Sequence, residues 1–171
     1  MKLSKNIIKD WLIPIIIAVI LAFLINKFLF FKINVPSESM YPTIMIGDNI
    51  YVTRIYNSNN IKRGDIIVFY SEELKMTLIK RVIGLPGEKV EVKSDGTVWV
   101  NNSQIKESYV KYNGGKTGSF IVPEGKYLFL GDNRANSDDS RYWENSYISS
   151  KDIQGKAQII VYPFNRIGLL K

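Results

Sequence analysis

Fifteen residues from Trp11 to Ile25, WLIPIIIAVILAFLI, carry no charge, and the apolar character resumes at Phe28 to Phe31 after Asn26 and Lys27. A helix over Trp11 to Phe31 would have 21 residues and a length of about 30 Å, the thickness of a bilayer's hydrocarbon core. Lys27 can snorkel to the headgroups at one end, and Trp11 suits the interface at the other. Pro14 lies in the first turn, where it is tolerated. Two other fates compete with a membrane span. A cleaved signal peptide needs small residues after the apolar run, and Asn26-Lys27-Phe28 supplies none; a buried core helix is rarely apolar on all sides. The expectation is an uncleaved anchor.

Charge sets its direction. Residues 1–32 hold Lys2, Lys5, Lys9, Lys27 and Lys32 against Asp10 alone, a net +4 of the chain's +7, and three of those lysines precede the span. That excess predicts a cytoplasmic N-terminus and a body on the outer face, a single-pass protein of the cell membrane with residues 1–32 as its N-terminus and anchor and residues 33–171 as its body. The remaining +3 forms no basic helix or block, so no nucleic-acid partner is expected.

The body reads as mostly β. Strand-like runs fall at Asn49 to Tyr56, Ile66 to Tyr70, Met76 to Gly84, Ser119 to Val122, Lys126 to Leu130 and Ala157 to Tyr162, separated by polar or Gly/Pro-rich turns. Lys89 to Val100 reads as a hairpin through Asp95-Gly96. Residues from about 85 to 130 are expected to form a small inserted β-subdomain. Arg63-Gly64-Asp65 is an adhesion tripeptide in form, but Gly-Asp recurs at 47–48 and 131–132 beside apolar runs, so turn chemistry accounts for it.

Histidine and cysteine are both absent. Thiolate zinc sites, thiol nucleophiles and imidazole-based triads are therefore excluded, and a general base must be Lys, Asp, Glu, Tyr or a chain amine. Val35 to Gly47, VPSESMYPTIMIG, is the stretch that poses the chemical question. Pro36 and Pro42 stiffen the run holding Ser37 and Ser39 and keep it out of a helix. Ser39 is only eight residues beyond Phe31, a reach of at most about 28 Å, so the serine pair is held near the membrane surface.

Met76 to Gly84 holds a lysine that is either a strand-edge residue reaching into solvent or, if buried, a base for such a serine. As a strand, this stretch puts Leu78, Lys80 and Val82 on one face and Thr77, Ile79, Arg81 and Ile83 on the other. Aliphatic neighbours disfavour the ammonium and lower a lysine's pKa. The polar run Gly131 to Arg141, GDNRANSDDSR, fails as a calcium loop, with Ser137 where glycine is needed and Trp143 where a bidentate Glu is needed. It remains a solvated loop or a hydrogen-bonding scaffold.

Taken together, PSESMYPTI at 36–44, RGDIIVF at 63–69, LIKRVIGLPGE at 78–88 and GDNRANSDDSR at 131–141 resemble the ordered boxes of type I signal peptidases, membrane-anchored serine proteases that remove signal peptides from exported proteins. The resemblance covers nearly the whole chain. It implies Ser39 as nucleophile and Lys80 as general base, with Ser37 as oxyanion donor beside the N–H of Ser39. Ser137 and Asp139 match the positions that orient the lysine region, and Asp132 and Arg141 match structural ones. Val35, Pro36, Met40, Ile44, Leu78 and Ile79 are the expected lining for a substrate with small residues at the first and third positions before the cut. The implied partners are signal-peptide-bearing preproteins, the lipid bilayer and, by proximity, the secretion translocon; no metal and no cofactor is implied. Ala135 departs from the family pattern, which often has Asp there.

Other readings compete. Ser103-Gln-Ile-Lys106 and Lys116-Thr117-Gly118 formally match two motifs of penicillin-binding proteins and β-lactamases, but Lys116 comes only ten positions after Lys106 and no helix for the nucleophile is evident. A membrane-tethered β-rich adaptor would tolerate Ser39→Ala. A serine-lysine protease with one dedicated substrate is the nearest enzymatic variant.

Overall fold

The computed structural model describes residues 8–170. A turn of π-helix at Ile8–Leu12 runs into helix α1, Ile13–Leu29. The stretch Lys9–Leu29, 21 residues of mean hydropathy 2.6, is long and apolar enough to cross a membrane, and none of it is buried by the body. Pro14 sits in the first turn of α1, as expected. Lys2 and Lys5, on which the orientation partly rests, lie outside the described residues.

The helix ends two residues before Phe31. Phe30–Asn34 is strand β1, with Phe31 and Ile33 packed against the core and the whole strand paired antiparallel to β2, Asn49–Arg54. Tertiary pairing thus takes over where apolar periodicity alone extended the helix. No linker separates α1 from the sheet, and the Tyr56 hydroxyl donates to the Phe28 carbonyl at the junction.

The body is β-rich, as the sequence predicts. β3, Ile66–Ser71, and β4, Met76–Gly84, form an antiparallel pair. A second, four-stranded sheet comprises β5, Lys89–Val92; β6, Val98–Val100; β7, Ser103–Gln104; and β8, Gly118–Ile121, in the order β7-β6-β5-β8. The chain returns to the large sheet through β9, Lys126–Leu130, which pairs with β4, and β10, Tyr147–Ser149. β11, Ile153–Tyr162, and β12, Gly168–Leu169, close it. The large sheet runs β1-β2-β11-β3-β4-β9-β10, with β12 beside β11. The β5–β6 hairpin turns at Gly96, whose φ of +83° only glycine adopts readily. β11 begins four residues before the expected Ala157, pairing across β3 as well as β2.

Three apolar clusters fill the fold. One gathers Val35, Met40 and Ile44 with Ile50, Val68 and Ile79; a second centres on Phe69, Val82 and Phe129; a third joins the two sheets through Ile83, Val90, Val98 and Leu128. Strand β4 contributes to all three. Burying each such aliphatic side chain contributes about 1.5–3 kcal/mol, and β4 is tied in this way into all three clusters at once.

Candidate active site

The Val35 to Gly47 loop is a series of turns sewn to the body from both ends. Val35 N–H donates to the Asp48 carbonyl (3.0 Å), Gly47 N–H to the Val35 carbonyl (2.9 Å) and Ile44 N–H to the Met40 carbonyl (2.9 Å). Val35, Met40 and Ile44 are no more than 1% exposed. Because these three apolar side chains point inward, Pro36, Ser37 and Glu38 are left on the outer side of the loop. Ser39 is itself buried, and its Oγ lies 3.4 Å from Ser37 Oγ. Its N–H has no hydrogen-bond acceptor among the described residues, while its carbonyl accepts from Asn133 N–H at 3.0 Å.

Ser39 and Lys80 line one cleft of about 460 Å³, together with Pro36, Ser37, Glu38, Leu74, Asn136, Asp138 and the run Met76 to Ile79. Of the expected substrate-lining residues, Pro36, Leu78 and Ile79 face this cleft. Val35, Met40 and Ile44 do not; they pack in the core with Ile79. The physical reason is that the stiff loop needs an apolar underside to stay docked, and these three side chains supply it.

Lys80 is 3% exposed. Burial, the dominant influence, pulls its pKa from the ordinary 10.5 down to about 8, against the opposing pull of Asp139 and Asp138. No ion pair among the described residues engages its ammonium, because the buried carboxylates nearby are already taken. Asp139 is held bidentate by Arg141 (2.8 and 2.9 Å) and accepts Gly131 N–H (3.0 Å); Asp132 is held by Arg81 (2.8 and 2.6 Å) and accepts from Thr43 Oγ1 (2.6 Å). Ser137 Oγ is buried and has no hydrogen-bond partner among the described residues.

Gly131 is the tightest point of the site. A Cβ there would meet Ser137 Oγ at 2.2 Å and the Ser39 carbonyl oxygen at 2.3 Å, so only glycine lets the 131–141 loop lie against the serine. Asn133 ties that loop down, its Nδ2 donating to the Glu38 carbonyl at 3.2 Å. Ala135 is exposed, away from these contacts.

Several participants were not visible in the sequence. Glu107 binds Arg134 bidentately (3.0 and 2.5 Å), and the Tyr109 ring lies over the Arg81 guanidinium at 3.9 Å while its hydroxyl donates to Glu107 at 2.7 Å. Burial and the Glu107 carboxylate push the Tyr109 phenol well above its usual range, so it stays a donor. Nothing in the sequence near 107–109 marks it as part of a site; the signal is the pairing itself. Ser103 and Lys106 of the penicillin-type motif are outside the cleft, and Ser103 is exposed. Among the described residues, no group of three or more Asp, Glu, His or Cys could hold a metal ion.

Comparison with known proteins agrees with this architecture. Residues 8–162 match the family described as signal peptidase, peptidase S26. Signal peptidase I P of Bacillus subtilis subsp. natto is 39% identical, over 97% of this chain and 95% of its own length. Signal peptidase I T of Bacillus subtilis strain 168 is 38% identical, over 97% and 91%. The crystal structure of a signal peptidase I from Enterococcus faecalis V583 is 34% identical and superposes with a TM-score of 0.51, over 57% of this chain and 97% of that one. The class is therefore that of the serine endopeptidases. Within it, the chain belongs to the signal peptidase family, peptidase S26, and the family's reaction is the removal of signal peptides.

Proposed function

We propose that this protein is a membrane-anchored endopeptidase that cuts N-terminal signal peptides from exported preproteins with a Ser39–Lys80 dyad. The observation that carries the reading is the shared cleft: a buried serine hydroxyl and a buried lysine without a counter-ion, brought together from segments 41 residues apart. Lys80 Nζ, as the free amine, takes the Ser39 proton while Oγ attacks the scissile carbonyl carbon. The resulting oxyanion accepts hydrogen bonds from Ser39 N–H and Ser37 Oγ–H, donors typically worth about 3 kcal/mol each in such sites. The C–N bond breaks, the leaving amine receives the proton from Lys80, and water then releases the acyl group from Ser39 by the same base. Ser137 Oγ is free to accept from the Lys80 ammonium, and Asp139 favours that ammonium electrostatically.

The substrate fits as an added strand. β9 pairs with β4 only from Arg81 onward, so Met76 to Lys80 offers an unpaired edge on the cleft side. Pro36, Leu78 and Ile79 then face its small side chains, and Val35, Met40 and Ile44 shape that surface from the core side. Residues 33–171 act as the peptidase domain, and the expected insertion of about 85–130 runs through the second sheet, Lys89 to Ile121, with the chain back in the large sheet from Lys126. The continuous α1–β1 junction, close to the translocon in the cell, holds the cleft at the outer membrane surface, with residues 1–32 as the anchor and the N-terminus cytoplasmic.

The test is to incubate the detergent-purified full chain with a signal-bearing precursor and sequence the new N-terminus. A single cut after small residues at the first and third positions is expected. Folded Ser39→Ala and Lys80→Ala variants should leave the precursor intact, and cleavage by either would refute the dyad.

A further inference from the structure

Residues 105–117, between β7 and β8, form an irregular strap that leaves the second sheet and lies along the 131–141 loop. Its contacts are specific. Tyr112 bridges to Asn133, its carbonyl accepts Ala135 N–H at 3.1 Å, and its ring sits 5.5 Å from that of Tyr41 in the serine loop. The Gly114 carbonyl accepts from Arg141 at 2.8 Å. Gly115 leaves no room for a Cβ, which would meet Arg141 Nη1 at 2.5 Å and the Arg134 carbonyl oxygen at 2.6 Å.

One carboxylate joins the strap to both halves of the cleft. Glu107 is nearly buried, as is its partner Arg134, with side chains 8% and 2% exposed. Arg134 in turn donates from Nε to the Gly131 carbonyl at 3.0 Å, fixing the residue whose missing Cβ lets the loop reach Ser39. The same carboxylate receives the Tyr109 hydroxyl, and the Tyr109 ring covers the guanidinium of Arg81, the residue after Lys80. Arg81 closes the circuit through Asp132. The chain of contacts therefore runs from the nucleophile's loop through Gly131, Arg134, Glu107, Tyr109 and Arg81 to the base's strand.

We propose that Glu107 and Tyr109 are positioning residues for the cleavage reaction, holding the Gly131 turn and strand β4 in the relative placement that sets Ser39 against Lys80. The proposal rests on the Ser39–Lys80 reading above. It gives the second sheet a task in catalysis, since that sheet is the base from which the strap extends. Neither residue lines the cleft, so both act through the groups they hold. A displacement of about 1 Å in such a pair can lower a rate about 100-fold, whereas substrate binding along the β4 edge is untouched.

The experiment uses the full-length enzyme in detergent, a signal-bearing precursor, and the variants Glu107→Gln, Tyr109→Leu and Tyr109→Phe. The folded fraction of each is measured by thermal melting. The expected result for Glu107→Gln and Tyr109→Leu is a fall in kcat per folded molecule on the order of 10- to 100-fold, with KM within about threefold of the parent. Tyr109→Phe keeps the ring over Arg81 and loses only the hydroxyl, so its loss should be smaller than that of Tyr109→Leu. A fall of less than about fivefold in kcat per folded molecule for both Glu107→Gln and Tyr109→Leu, or a loss carried entirely by KM or by the folded fraction, overturns the proposal. Ser39→Ala, assayed alongside, separates the two readings. Residual cleavage by that variant overturns the dyad and this proposal with it, whereas an inert Ser39→Ala beside fully active Glu107→Gln and Tyr109→Leu removes only the positioning role.

Discussion

Lys80 and Arg81 are consecutive on β4, face opposite sides of one sheet and are almost equally buried, yet the protein treats the two cations in opposite ways. On one face, Arg81 is held by both oxygens of Asp132, by the Gly64 carbonyl at 2.7 Å and by the Tyr109 ring. On the other, Lys80 has no ion pair among the described residues and looks into the cleft. The difference follows from chemistry. A guanidinium cannot shed its proton in a protein, so a buried Arg has to be paired; an amine can, so a buried Lys can be left unpaired and meet the cost of burial by titrating. One face of the strand is scaffold, and under the proposed mechanism the other is the base.

Breaking each face should therefore fail differently. The largest effect expected is on catalysis: Lys80→Met should lower kcat/KM by about four orders of magnitude or more, read as the rate of precursor cleavage. Arg81→Met should act on stability as well as on the positioning circuit, since it strands Asp132 without its partner and removes the cation under the Tyr109 ring. Losing one member of a buried pair costs about 3–5 kcal/mol, measurable as a lower denaturant midpoint.

Lys80→Met should do the reverse to stability. The folded pKa of about 8 lies below the ordinary 10.5, so below pH 8 the lysine is charged in both states and the fold bears the full burial cost. Between about pH 8 and 10.5 the unfolded chain holds more protons than the folded one, and stability rises with pH. Removing the amine should thus stabilise the protein at pH 7 by about 3 kcal/mol, an advantage that disappears by about pH 10.5; a destabilised Lys80→Met at pH 7 would contradict an unpaired buried cation. The same titration predicts a kcat/KM that rises about tenfold per pH unit on the acid side and levels off near pH 8, checked by a pH–rate profile. The smallest effect belongs to Ala135→Asp, an exposed change that should shift stability by no more than about 0.5 kcal/mol in the same unfolding assay.

The sequence carried much of this outline because periodicity and exclusion act locally. An uncharged run of helical length, the alternation that buries Lys80 between Leu78 and Val82, the Asp95-Gly96 hairpin, and the absence of His and Cys could all be read without a partner in view. Their meaning depends on neighbours a few residues away, which the chain itself supplies. Strand β1 could not be read in the same way: Phe30 and Phe31 continue the apolar helix by composition, and only pairing with β2 makes Phe30–Asn34 extended. The inward turn of Val35, Met40 and Ile44 was also hidden, because a sequence shows that a loop is stiff but not which side has a core to dock on. Most hidden of all was the strap, where Glu107 and Tyr109 are ordinary residues in an ordinary loop until the fold lays them over Arg134 and Arg81. Backbone preference and residue chemistry are written in the chain, whereas which buried charge meets which counter-charge is decided only when distant segments pack.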